Sequence, residues 1–181
     1  MAELILAGFG GQGVMSMGQM LTYAGMIEGK EVSWIPSYGP EMRGGTANCA
    51  VVISDEQIGS PVVTEPDIVI AMNLPSMDKF EPMLKSGGIL IYNSSLIERS
   101  VSRDDITVIP VPANEVAGEL GNSRVANMVI MGTLLSKASL VSKEGILEAL
   151  RKVLPSHRHD LLTVNEQALE RGAEYASQKS Q

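Results

Sequence analysis

Cysteine, aromatic rings and long apolar runs are the scarce things in this sequence. Cys49 is its only cysteine, which excludes an internal disulfide. It also excludes an iron–sulfur cluster or structural zinc site built from the chain's own thiolates. Two Phe, one Trp and four Tyr are spread over 181 residues. Eleven Met stand partly in their place, and flexible thioethers suit both cores and adaptable contact surfaces. Cations are outnumbered, 14 Lys and Arg against 21 Asp and Glu, for a net charge of −7. Such a balance predicts no nucleic-acid partner and no attraction to an anionic membrane. An anionic ligand would have to be held by local dipoles and one or two cations. No uninterrupted apolar stretch reaches the length of a membrane span and the chain opens without a charged signal region, so a soluble, cytoplasmic protein is expected.

What is present is concentrated at the start. The apolar stretch Glu3 to Ala7 runs directly into Gly8-Phe9-Gly10-Gly11-Gln12-Gly13, and then into Val14 to Ile27 with apolar residues at near-helical spacing. Gly8, Gly10 and Gly13 match G-x-G-x-x-G, the phosphate-binding turn between strand and helix in open α/β sheets. Two readings stand side by side. Either the turn and the free amides of the helix start face a phosphate-bearing ligand, or the glycines only let strand and helix pack closely. Gly18 and Gly25 within the helix suggest close approach to the sheet, and Gly29 ends it.

Further along, Glu31 to Tyr38 and Thr46 to Ser54 read as strands, with Gln57 to Val63 another short extended piece. Loops this short cannot join parallel neighbours, so the sheet is expected to be mixed. Asp67 to Ala71, Ile89 to Tyr92 and Ile106 to Val111 continue the strand series. Helices are expected over 75–84, kinked or divided at Pro82, and over 114–120, 125–135 and 143–154, the last capped by Ser142. Thr163 to Glu166 has the spacing of a capping box opening a final helix to about Ala176. The pattern predicts one three-layer α/β/α domain over 1–176 with a mixed, mostly parallel sheet, and a polar tail over 177–181.

No self-contained active site is visible, and no catalytic or metal-binding residue is assigned. His157 and His159 fall between helices without further ligands and read as a solvated loop. Cys49 lies in an apolar strand run and reads as an inert core residue. G-x-S-x-G, H-E-x-x-H and the P-loop pattern are missing. A nicotinamide site would place Asp or Glu at the tip of the second strand, where this sequence has Ser37, Tyr38 and Gly39. Glu41, Met42 and Arg43, followed by Gly44, form the second informative loop, read either as a glycine-rich hairpin or as a ligand or partner surface with Arg43 gripping a phosphate or carboxylate. Asn73, Asn93 and Ser94, with Ser95, follow two strands in the same register. They either line one rim as hydrogen-bonding groups or serve as caps and turns.

Several segments resemble the gamma subunit of 2-oxoacid:ferredoxin oxidoreductases: GFGGQG at 8–13, SYGPEMRGGTANCAVVIS at 37–54, PDIVIAMNLPS at 66–76 and GGILIYNSSLI at 87–97. The stretch from Asn127 to Gly132 and LLTVNEQALERG at 161–172 are similar too, so the likeness spans nearly the whole chain. It is strongest toward the 2-oxoglutarate and general keto-acid enzymes of multi-subunit type, with a pyruvate or branched-chain relative as the alternative. The resemblance implies one subunit of a complex that decarboxylates a 2-oxoacid, reduces ferredoxin and releases an acyl-coenzyme A. It implies thiamine diphosphate and iron–sulfur clusters on alpha, beta and delta-type partners, with coenzyme A binding and assembly on this chain. It makes Gly8, Gly10, Gly11, Gln12, Gly13 and the loop from Tyr38 to Gly45 candidates for the coenzyme A or subunit surface. The isolated chain is expected either to self-associate or to expose a Met-rich patch. The alternatives are a purely structural assembly subunit and a free-standing NADP- or flavin-binding oxidoreductase.

Overall fold

In the computed structural model, which describes residues 1–37 and 46–178, the chain alternates short apolar strands with helices. The strands are β1 (Ala2–Phe9), β2 (Glu31–Ser37), β3 (Thr46–Ser54), β4 (Ile68–Ala71), β5 (Ile89–Asn93) and β6 (Thr107–Val111). The helices are α1 (Val14–Ile27), α2 (Leu74–Phe80), α3 (Ala113–Glu119), α4 (Ala126–Lys137), α5 (Lys143–Val153) and α6 (Leu162–Gln178). The described strands form one sheet in the order β2-β3-β1-β4-β5-β6. Only β3 runs against the others: it pairs antiparallel with both β1 and β2, whereas β1, β4, β5 and β6 pair in parallel. This is the mixed, mostly parallel sheet that the short 37–46 connection demands.

The two faces are covered unequally. Leu4, Leu6, Cys49, Val51 and Ile70 point to the face occupied by α1, α4, α5 and α6. Ile5, Ala7, Val69 and Leu90 point to the other, where Met77 and Phe80 of α2 lie against them. Alternation along β1 and double-sided burial of β4 follow from this three-layer arrangement. Helix α4 is mostly apolar and buried from Ala126 to Leu134, with Asn127 and Thr133 among the buried residues, as expected of a helix enclosed between a sheet and other helices. It meets α6 closely: a Cβ at Gly132 or at Gly172 would run into the backbone carbonyl of Leu169 or Val129. Among the described residues no helix is long and apolar enough to cross a membrane.

The structure corrects several expectations. Gln57 to Val63 forms no strand. β1 and β3 already have partners on both sides, and Gly59 and Pro61 suit a turn better than a ladder. The 75–84 helix divides, with α2 ending at Phe80 and a 3₁₀ turn over Glu81–Met83, because Pro82 cannot donate to a continuing helix. Thr163 is no cap. A 3₁₀ turn over Ser156–Leu161 feeds straight into α6 at Leu162, and Asn165 donates its amide to Leu161 O at 2.8 Å instead. Within that turn, His159 Nε2 lies 3.1 Å from Leu154 O and 3.2 Å from Arg151 O. It serves the open carbonyls at the end of α5. Ser142 caps α5 as expected, accepting from Gly145 N at 3.0 Å.

Candidate functional site

The chain leaves β1 toward β2 on one side of the sheet and returns to β4 on the other side of β1. α1 then covers one face and α2 the opposite one. The carboxyl ends of β1 and β4 therefore flank a topological switch point, the place where open α/β sheets leave room for ligands. Gly8 to Gly13 form the turn there. Gly11 and Gly13 take positive φ, 89° and 77°, a conformation L side chains rarely adopt. Gly8 is required for space: a Cβ would lie 2.8 Å from Met72 Cβ and 2.9 Å from Val14 Cγ2. A Cβ on Gly13 would strike the Asn127 side chain.

Gln12 holds the turn shut on its inner side. Its Oε1 accepts from Phe9 N at 2.6 Å and its Nε2 donates to Met72 O at 3.3 Å, so its amide is committed to joining β1 to the end of β4. The outer side is open. Gly10 and Gly11 have nothing within 4 Å of a built Cβ, and no side chain caps the first turn of α1. A cavity of about 300 Å³ lies over these glycines, bounded by Phe9, Val14, Ser16 and Ala47. It is an electropositive hollow made of backbone, suited to an anion.

The other candidates are placed as follows. Asn73 caps α2, its Oδ1 accepting from Ser76 N at 2.9 Å, while its buried Nδ2 has no partner among the described residues. Asn93 is fully buried. It donates to Asn114 Oδ1 at 2.8 Å and accepts from Ser95 N at 3.2 Å. Ser94 N donates to Val111 O at 2.8 Å, and Ser95 Oγ receives the amides of Asn114 and Glu115 at the start of α3. This group thus works as turn and cap. Tyr38, Gly39, Glu41, Met42, Arg43 and Gly44 lie outside the described residues. Both flanks of that segment stand at the rim of the glycine turn, since Ser37 pairs with Asn48 and Thr46 with Phe9.

Cys49 lies beneath α1, with burial pushing its thiol up to about 11 against the lowering pull of the Trp34 indole. A buried thiol held protonated is a poor nucleophile and a poor ligand. Among the described residues no cluster of three or more His, Cys, Asp or Glu stands together. With one cysteine in the sequence, the described donors do not fit an iron–sulfur cluster. Sequence reasoning missed Ser16, Arg124, Asn127 and Asn165, which gather on the other side of the α1 start. Asn127 is 114 residues from Gly13 in the chain, and no local pattern announces that meeting.

These features define an open α/β domain with a glycine-rich strand-to-helix turn at its switch point and one reversed strand beside it. The chain belongs to the pyruvate ferredoxin/flavodoxin oxidoreductase family, whose pattern matches residues 3–175. It is 41% identical over 172 residues to ketoisovalerate oxidoreductase subunit VorA of Methanothermobacter marburgensis, covering 94% of this chain and 36% of that one. It is 36% identical to 2-oxoglutarate synthase subunit KorC of Methanocaldococcus jannaschii, covering 84% of this chain and 83% of the relative. The chain thus spans about a third of the length of the VorA relative, and most of KorC. The gamma subunit of a keto/oxoacid ferredoxin oxidoreductase from Geobacter sulfurreducens has the same fold, with a TM-score of 0.84 at 28% identity over 98% of this chain and 99% of that one. A 2-oxoglutarate:ferredoxin oxidoreductase from Magnetococcus marinus, solved with 2-oxoglutarate, coenzyme A and succinyl-CoA bound, contains the fold at a TM-score of 0.89. That match is 24% identical and covers 98% of this chain and 31% of that one.

Proposed function

We propose that this chain is the gamma subunit of a 2-oxoacid:ferredoxin oxidoreductase and that its part is to bind coenzyme A and dock partner subunits. The observation that carries this reading is the glycine turn: a backbone hollow at the switch point, closed inside by Gln12 and open outside over uncapped amides of α1. Such a hollow suits a pyrophosphate. The family match and the coenzyme A in the Magnetococcus marinus complex support the choice of ligand. Thiamine diphosphate and the iron–sulfur clusters are assigned to alpha, beta and delta-type partners, in keeping with the single cysteine of this chain. Choice of the oxoacid is assigned to the partners too, because relatives named for ketoisovalerate and for 2-oxoglutarate both share this chain's sequence.

Calorimetry of coenzyme A against the assembled complex tests the reading. Gly10 has open space around it, so Gly10→Asp sets a carboxylate against the anion hollow without a clash. Charge repulsion there is expected to weaken coenzyme A binding tenfold or more, and Arg43→Ala to weaken it by about tenfold. Equal affinity in both variants would leave only the structural reading, in which the loops serve assembly. That second reading draws on the way Asn93 and Ser95 are consumed by turn and cap. A third, a free-standing NADP or flavin enzyme, predicts thermal stabilisation of the isolated chain by either cofactor.

A further inference from the structure

Helix α1 lies on the surface, yet Val14–Ile27 contains no charged residue. By contrast, α5 exposes Glu144, Glu148, Arg151 and Lys152, and α6 exposes Glu170 and Glu174. Gly18 and Gly25 seat α1 on Trp34 and Val32 of β2, and Ala24 faces Gly145 of α5. The side turned away from both carries Met15, Gln19, Thr22, Tyr23, Met26 and Ile27. Tyr23, Met26 and Ile27 are 42%, 57% and 38% exposed, and the other three are half-buried. Large apolar side chains with no charge among them, on the solvent side of a helix, reverse the usual amphipathic pattern.

The spacing on that face is symmetric. Met15, Gln19, Thr22 and Met26 follow one another at steps of 4, 3 and 4 residues, the alternation that keeps side chains in one seam when two helices pack. Read backwards, the row has the same steps and again has Met at both ends. An antiparallel copy of the helix therefore sets Met15 against the partner's Met26 and Gln19 against the partner's Thr22, each pair occurring twice. Unbranched thioethers adapt their shape to one another. The polar middle is matched too. Thr22 Oγ1 donates to Gly18 O at 2.8 Å, which leaves its oxygen able to accept, and the Gln19 carboxamide has no hydrogen-bond partner among the described residues.

A patch that complements itself on reversal is what a two-fold contact requires. Charge points the same way. Two copies of net charge −7 repel each other, and a face free of charge is where they approach at least cost. We propose that the outer face of α1 is a two-fold contact between two copies of this chain, with the two α1 helices antiparallel. A helix of 14 residues is about 21 Å long, and a seam of that length falls short of the roughly 800 Å² per partner of a standard interface. The isolated pair is therefore weak, dissociating in the micromolar range, and gains where two copies are held in one complex.

Two measurements on the full chain test this contact. Sedimentation equilibrium is expected to show a monomer–dimer equilibrium that Met26→Glu, at an exposed position, weakens by about tenfold or more. Met15→Cys and Met26→Cys chains, mixed and oxidised, are expected to cross-link to each other and neither to itself. Within one chain the two positions are about 16 Å apart along the helix, so only a neighbour can bridge them, and the buried Cys49 leaves the wild type uncross-linked. A wild type that stays monomeric through the high micromolar range would overturn the proposal. Cross-linking of each variant to itself alone, or of neither, would overturn it as well, whatever Met26→Glu does to folding. Met26→Glu that sheds the other subunits from the assembled complex, while the isolated chain associates as before, would give the face to one of those subunits and overturn the two-fold contact.

Discussion

At position 18 a methyl group would stand 2.6 Å from both Cys49 Sγ and Trp34 Nε1. The glycine costs α1 about 1 kcal/mol of intrinsic propensity, and what it gains is direct seating of the helix on β2 and β3. Gly25 does the same against Val32. Gly18→Ala should therefore destabilise the protein by about 1–3 kcal/mol, the usual range for overpacking, read from urea unfolding. The helix it stiffens would on propensity alone be more stable, so the sign of the result separates packing from propensity. Cys49 offers a second test at this scale. With its thiol held near 11 by burial and its Sγ beneath α1, it should resist iodoacetamide at pH 8 in the native protein. It should react fully once urea unfolds the chain.

Helix contacts decide the next scale. Gly132 and Gly172 let α4 and α6 touch backbone to backbone, and Thr133 Oγ1 seals the crossing by donating toward Gly172 O at 3.0 Å. A carbonyl on a packed helix cannot yield as a side-chain tip can. Gly132→Ala should then cost more than Gly18→Ala, about 3 kcal/mol or more, by the same unfolding assay. On the opposite face, the 3₁₀ turn after α2 is tied to residues 99–105 through Glu81. Arg99 Nη2 reaches Glu81 Oε2 at 2.5 Å, and Ser102 donates to Oε1 from its amide at 3.2 Å and its hydroxyl at 3.1 Å. Burial pushes the Glu81 pKa up, but the Arg99 and Ser102 hydrogen bonds outweigh it and hold it below the ordinary 4.5. Asp105 is held at about 2 by Arg103. Both carboxyls titrate lower folded than unfolded. Their stabilisation is complete above about pH 4.5 and fades as pH falls through the folded values. Glu81→Gln should lower the melting temperature at pH 7 and flatten its fall between pH 4.5 and 2.

For the whole molecule, the carboxyl rim of the sheet gathers the glycine hollow, the ends of β2 and β3, and the exposed side chains of Phe9, Leu74 and Leu96. Tyr23, Met26 and Ile27 are exposed at the other end of α1. Apolar side chains gathered at one rim are what a subunit taken from its complex would leave open. Sedimentation of the isolated chain should show concentration-dependent association, reduced by Leu74→Lys together with Leu96→Lys. A monodisperse monomer in wild type and variant alike would count against the rim as an interface.

How much of this was legible beforehand depended on distance along the chain. The strand–glycine–helix start, the mixed sheet, the division at Pro82 and the Ser142 cap were all readable, because periodicity, proline and capping act within a few residues. The role of Gly18 and Gly25 was readable as close approach, without its partners. For Asn93 and Ser95 the sequence left rim and cap as equal readings, and the structure chose the cap; hidden were the tie from Gln12 to Met72 and His159 at the end of α5. Hidden too was the meeting of Asn127 and Asn165 beside Gly13, since residues that far apart become neighbours only when α4 and α6 pack against α1. The sequence alone determined that a glycine turn would stand between a strand and a helix and that the chain's lone thiol could build no cluster. Only the tertiary structure decided that this turn is closed on one side and open on the other. A side chain such as Gln12 acquires its acceptor from a strand folded in from 60 residues away.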